Sequence, residues 1–131
     1  SQGAVVSRAH YEKVLGYIEL AKAEGGKILV GGGPVNVGEG YFIAPTLIEG
    51  LGHDCRTNQE EIFGPVATIA PFETEEEVIE WTNSTQYGLA GSVWSQDEAK
   101  AERVAQKIDS GIVWINTWML RDLRTPFGGM R

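Results

Sequence analysis

The stretch from Pro65 to Met119 alternates apolar runs with amphipathic ones, and this alternation restricts the available folds more than any other feature. "PVATIAPF" reads as a strand. "TEEEVIEWTNS" reads as a short helix, because Thr74 and Glu77 stand in the T-x-x-E spacing of a capping box. "GLAGSVWS" reads as a second strand. Ser95 and Glu98 repeat the cap spacing before "AKAERVAQKIDSG", where Ala101, Val104, Ala105 and Ile108 form a helical stripe that Gly111 ends. "IVWINTWM" closes as a strand. Strand, helix, strand, helix, strand in succession calls for crossover connections and helices packed on the sheet. "GIVWIN" is apolar almost throughout, the pattern of a strand covered on both faces. The expected class is α/β, a mainly parallel open sheet with flanking helices.

The first half adds one long helix. Val14, Tyr17, Ile18 and Ala21 in "RAHYEKVLGYIELAKAEGG" recur at i, i+3, i+4 and i+7, with Ser7 as N-cap and Gly25-Gly26 as the stop. "KILVGG" and "GYFIAPTLIEGL" read as extended, and Pro45 places the second at an edge or a bulge. A length of 131 residues suits one domain over residues 1–131, with no internal repeat or linker to divide it. "SQGAVVS" and "TPFGGMR" look like cut edges, so the expectation is an excised piece of a longer protein.

Charge narrows the partners. Eleven Lys and Arg against eighteen Asp and Glu give a net charge of −7, a poor match for nucleic acid. No apolar run approaches the roughly 20 residues of a membrane helix, so no membrane partner is expected. One cysteine and two histidines, His10 and His53, lack zinc-type spacing, and no metal is expected. The lone cysteine makes reducing cytoplasm the default compartment.

Four stretches could carry chemistry. "VGGGPVNVGEG" has neither the G-K-[ST] of a phosphate loop nor G-x-G-x-x-G spacing, and reads as a surface connection. Cys55 has His53 and Arg56 nearby, but its loop-like context reads as incidental for a nucleophile. In "NQEEIFGPV", Glu60 and Glu61 diverge if the backbone is extended, so a shared proton is not expected. The plain reading is one solvated and one hydrogen-bonded Glu. The sharper one has a single carboxylate accepting two ligand hydroxyls, with Phe63 on the same face for a flat ring. In "NTWMLRDLRTPFGG", Arg121 either pairs with Asp122 or another acid on the surface or reaches a substrate carboxylate.

Together, "QEEIFGPV", "YGLAGSVWS", "GIVWIN" and "TPFGG", in this order and over nearly the whole chain, resemble the catalytic domain of NAD(P)-dependent aldehyde dehydrogenases. The end loop is most similar to the branch acting on 2-hydroxymuconic or 2-aminomuconic semialdehyde in aromatic compound degradation. The resemblance implies an oxidoreductase that takes NAD, with NADP left open. It implies that Glu61 holds the nicotinamide ribose and that Phe63 packs near the nicotinamide. It implies that Thr117, Met119, Arg121 and Phe127 line the substrate tunnel, with Arg121 preferred to Arg124 for a substrate carboxylate. No catalytic residue falls within the chain: the family's cysteine nucleophile, its glutamate base and its dinucleotide-binding domain lie upstream. The fragment alone is expected to be inactive. The partners implied are an aldehyde, the missing dinucleotide-binding domain and further copies in a homo-oligomer. One departure is Ala4, where the family usually has Pro. Two alternatives stand beside this: a non-catalytic binding or interaction module, and a thiol enzyme using Cys55.

Overall fold

A computed structural model describes residues 2–131. The chain divides into two compact units, Ser1–Pro71 and Phe72–Arg131. The first contains α1 (Arg8–Ala23), β1 (Lys27–Val30), β2 (Thr46–Glu49), α2 (Arg56–Gln59) and β3 (Val66–Ile69). The second contains α3 (Glu75–Asn83), β4 (Ala90–Val93), α4 (Glu98–Ala105) and β5 (Ile112–Ile115).

The helix α1 forms as its stripe and cap dictate. The Ser7 hydroxyl accepts a hydrogen bond from the His10 amide at 3.2 Å, and Gly25, at φ +93°, follows the C-cap Glu24. Val14, Ile18 and Ala21 are fully buried, the first two with Ile43 and the last with Ile48 and Leu51. Burial of side chains such as Ile18 or Ile48 contributes roughly 1.5–3 kcal/mol each. Gly64 packs on this helix so closely that a Cβ would lie 2.6 Å from Val14 Cγ2. That contact requires the glycine of "EEIFGP" and ties the motif to α1.

The sheet of the first unit runs β1-β2-β3, with β1 antiparallel and β3 parallel to β2. β2 is therefore central, contrary to the edge position inferred from Pro45. Pro45 ends before β2 begins, so its missing N–H costs the ladder nothing. The irregularity lies on the facing strand, between Ile28 and Val30.

In the second unit β4 and β5 pair in parallel through the α4 crossover, Ala90 opposite Ile112 and Val93 opposite Ile115. α4 packs on both strands and buries Ala101 and Val104. Two of the three ladders are parallel, as the strand-helix alternation requires. Among the described residues the strands form a three-stranded sheet in the first unit and a two-stranded sheet in the second.

Three local details differ from the sequence reading. Thr74 caps α3 as expected, accepting from the Glu77 amide at 3.1 Å, but α4 is capped by Asp97, which accepts from the Lys100 amide at 2.9 Å. Ser95 instead receives the Asp97 amide on its hydroxyl. α4 stops at the C-cap Gln106, well before Gly111. β5 ends at Ile115, before the end of the predicted strand, and within this chain Trp114 is its buried residue.

Candidate functional site

The "EEIFGP" segment begins where α2 ends. α2 is four residues long, and its N-terminal amides are met by a carboxylate from the end of α1. Glu24 accepts from the Arg56 amide at 3.0 Å, the Thr57 amide at 3.2 Å and the Thr57 hydroxyl at 2.6 Å. Burial alone would push the Glu24 carboxyl up, but these donors outweigh it and hold it below its ordinary range.

The two adjacent glutamates have different fates. Glu60 is engaged: it accepts from Arg56 at 2.7 and 2.9 Å and from the Tyr17 hydroxyl at 2.6 Å. Arg56, then Tyr17, hold its carboxyl down at about 2. Glu61 is exposed, and its carboxylate has no partner among the described residues. Only its backbone carbonyl is held, by Lys13 Nζ at 2.9 Å. One carboxylate thus fixes the segment to α1 and α2, and the next keeps its lone pairs free.

Phe63 is 74% exposed and sits at φ +58°, uncommon for a bulky side chain. Residues 61–63 belong to no strand. The pleat argument that put Phe63 on the face of Glu61 therefore does not apply. The Phe63 ring lies 6.3 Å from that of His10, centroid to centroid. Both line a depression of about 600 Å³ with Val5, Val6, Gly64 and Pro65. His10 Nε2 is buried there without a hydrogen-bond partner among the described residues. Sequence reasoning weighed His10 only as a metal ligand; its position in the first turn of α1, three residues after the cap, was the available signal.

In the second unit the loop after β5 carries Thr117, Met119, Arg121 and Phe127. Thr117 is half-buried and the other three are exposed. Asn116, at φ +51°, turns the chain out of the sheet, and Met119 repeats the left-handed conformation at φ +60°. Trp114 donates its indole N–H to the Leu120 carbonyl at 2.8 Å, and Trp118 meets the Trp114 ring edge-on at 5.0 Å.

The structure brings Arg121 and Phe127 together, the guanidinium 4.6 Å from the ring centroid. Asp122 does not pair with Arg121. It takes Arg124 instead, at 2.6 to 3.1 Å from the guanidinium, and also accepts the Arg124 amide. Local geometry decides this, because backbone and side chain of one residue satisfy the same carboxylate. Arg121 therefore has no carboxylate partner among the described residues.

Beyond Phe127 the chain is anchored again. Gly128 O lies where a Cβ on Gly111 would be, 1.7 Å away. The Met130 amide donates to Gly88 O at 3.0 Å, and Arg131 pairs with Asp109 at 3.3 Å.

Cys55 is the N-cap of α2. Burial pushes its thiol up; the Asn58 amide opposes this and the Glu24 carboxylate adds to it. A reactive thiolate needs the opposite setting, so the geometry speaks against Cys55 as a nucleophile.

A free carboxylate can accept two vicinal hydroxyls, and an outward aromatic face suits a flat ring. A guanidinium over a phenyl ring suits a carboxylate at the end of a partly apolar molecule. Residues 1–131 match the model of the aldehyde dehydrogenase family throughout. Over 100% of its length the chain is 47% identical to 2-aminomuconic semialdehyde dehydrogenase of Mus musculus, of which it covers 28%. It is 44% identical to 2-hydroxymuconic semialdehyde dehydrogenase of Pseudomonas sp. (strain CF600), with 98% of the chain and 27% of the relative aligned. Among solved structures, betaine aldehyde dehydrogenase from Staphylococcus aureus in complex with NAD+ superposes with a TM-score of 0.92 at 45% identity, over 97% of this chain and 26% of that one. The chain thus spans little more than a quarter of the length of the relatives it matches.

Proposed function

Because this chain belongs to the aldehyde dehydrogenase family, we propose that it is part of an enzyme that oxidises an aldehyde to a carboxylic acid with NAD or NADP. The aldehyde is a carboxylated semialdehyde of the 2-hydroxymuconic or 2-aminomuconic kind. Residues 1–131 supply part of a catalytic domain, and the rest of a longer cytoplasmic protein supplies the nucleophile and the dinucleotide-binding domain. That protein works as a homo-oligomer.

The residues present fit a dinucleotide. Glu61 has free acceptors for ribose hydroxyls, since Glu60 has taken the local donors. Phe63 offers an uncovered ring. When bound, the cofactor supplies the hydride acceptor; the residues of this chain bind and orient it.

The observation that carries the substrate class is the division of labour between two arginines. Asp122 neutralises Arg124, while Arg121 lies on Phe127 with its charge uncompensated. An acidic semialdehyde would meet the cation of Arg121 and the face of Phe127 together, with Thr117 and Met119 on the same loop. A buried carboxylate without such a partner would be costly.

The test is Arg121→Ala in the full-length enzyme. Charge-assisted hydrogen bonds contribute about 1.5–3 kcal/mol, so KM for the acidic semialdehyde should rise roughly 10- to 150-fold. KM for an uncharged aldehyde should change far less. Arg124→Ala, which removes only an exposed pair, should change either by no more than a few-fold. Equal effects of Arg121→Ala on both aldehydes would refute the assignment.

A further inference from the structure

We propose that Asn116 is the positioning residue that aims Arg121, and that it does so by continuing the β4–β5 ladder with its side chain. The last main-chain bond of that ladder runs from the Asn116 amide to Val93 O at 2.9 Å. Beyond it the main chain of Asn116 leaves the sheet at φ +51°. Its carboxamide takes over. Oδ1 accepts from the Ser95 amide at 2.8 Å, and Nδ2 donates to the Ser95 carbonyl at 2.9 Å. Both backbone groups of Ser95 are thus satisfied by one side chain, as a neighbouring strand would satisfy them.

The residue type follows from two simultaneous demands. The side chain must present a donor and an acceptor together, which Asn does and Asp does not. The backbone must tolerate the left-handed region, which Asn does better than most residues. Ser95 is itself fixed, because its hydroxyl receives the amide of Asp97, the N-cap of α4. The loop exit is therefore referenced to α4.

The far side of the turn is fixed independently. Trp114 Nε1 holds the Leu120 carbonyl at 2.8 Å. Residues 116–120 form a turn pinned at both ends, with a second left-handed residue, Met119, inside it. Arg121 is the next residue, so its direction is set by the two pins. This inference rests on Arg121 being the receptor for a substrate carboxylate.

The experiment uses the full-length enzyme with Asn116→Gly, which keeps the φ freedom and removes both bonds, and Asn116→Asp, which keeps the acceptor alone. Two quantities are read: amide hydrogen exchange across residues 117–123, and the ratio of kcat/KM for an acidic semialdehyde to that for an uncharged aldehyde. In Asn116→Gly, exchange should quicken by about tenfold or more, and the ratio should fall by at least about fivefold. Asn116→Asp should lie between it and the wild type. Loss of fold alone would lower both substrates together and leave the ratio unchanged. Unchanged exchange overturns the pin. Faster exchange with an unchanged ratio, while Arg121→Ala lowers that ratio, overturns the aiming role. If Arg121→Ala itself leaves the ratio intact, the carboxylate reading falls and the aiming role with it; exchange still judges the pin alone.

Discussion

Adding one methyl group at Gly111 should separate the position of the end loop from the stability of the fold. A Cβ there would stand 1.7 Å from Gly128 O and 2.9 Å from Gly128 C. Real Cβ contacts stay above 3.0 Å, so the carbonyl must retreat by about 1.3 Å, the difference between 3.0 and 1.7. Both sides of the contact are backbone, and no rotamer change relieves it. Overpacking in a rigid core costs typically 1–3 kcal/mol. Gly128 lies in an exposed segment, so the segment moves before the sheet strains. The stability cost then approaches that of the bonds the segment gives up. The Met130 amide to Gly88 O is one such bond, worth about 0.5–1.5 kcal/mol. Phe127 is covalently joined to Gly128 and shifts with it, which disturbs its 4.6 Å contact with Arg121. A misplacement of about 1 Å at a binding site can cost on the order of 100-fold, so the kinetic effect exceeds the thermodynamic one. In the full-length enzyme, Gly111→Ala should lower the melting temperature by only a few degrees. It should lower kcat/KM for the acidic semialdehyde by roughly 10- to 100-fold. A large stability loss with unchanged kinetics in the folded fraction would refute this reasoning.

Glu61→Gln keeps the size and removes the charge, so KM for NAD should rise while thermal stability stays within about 0.5 kcal/mol, since the side chain has no partner among the described residues. Phe63→Gly should be neutral to stabilising by about 1 kcal/mol, because glycine relieves the left-handed backbone at φ +58°. The same variant should raise KM for NAD, and a drop in melting temperature of more than a few degrees would contradict the strain account. A further prediction concerns acid. The Glu60 carboxyl is depressed to about 2, below its unfolded value of roughly 4.3. Its contribution is fully present above the unfolded pKa and is lost as pH falls through the folded one. The stability gap between wild type and Glu60→Gln should therefore be largest above about pH 4.5 and shrink towards pH 2; a gap constant across that range would exclude the Arg56 and Tyr17 contacts as its cause.

Local rules carried the sequence reading where partners are close in the chain. Ser7 and Thr74 cap their helices with hydroxyls three residues from the amides they meet, and Val14, Ile18 and Ala21 bury as their spacing requires. The reading failed where partners are distant. α2 is not legible in the sequence because the carboxylate that meets its N-terminal amides, Glu24, lies 32 residues before Arg56. Ser95 looked like a cap, but Asn116, 21 residues later, occupies its backbone. Asp97 was free to cap α4. Alternation of strands and helices predicts parallel neighbours but not how many sheets they form, hence the separate β4–β5 pair. Within the site, adjacency could not say which arginine Asp122 would neutralise. Only the shared contact with the Arg124 amide decides it.

The contact of Glu24 with the N-terminus of α2 has a consequence for how the "EEIFGP" segment acquires its shape. A four-residue helix lies far below the length that sustains itself in water, and a negative charge at the end of α1 opposes that helix's own dipole. α1 therefore accepts a small disadvantage at its terminus, and the N-terminal amides of α2 depend on that terminus for their acceptor. Any fluctuation that frays the last turn of α1 withdraws the acceptor from Arg56 and Thr57. Glu60 then loses its anchor through Arg56, and the carboxylate one residue beyond loses its bearing. The placement of "EEIFGP" thus depends on a helix end 36 residues before Glu60, and a substitution at Glu24 would loosen the segment without touching it.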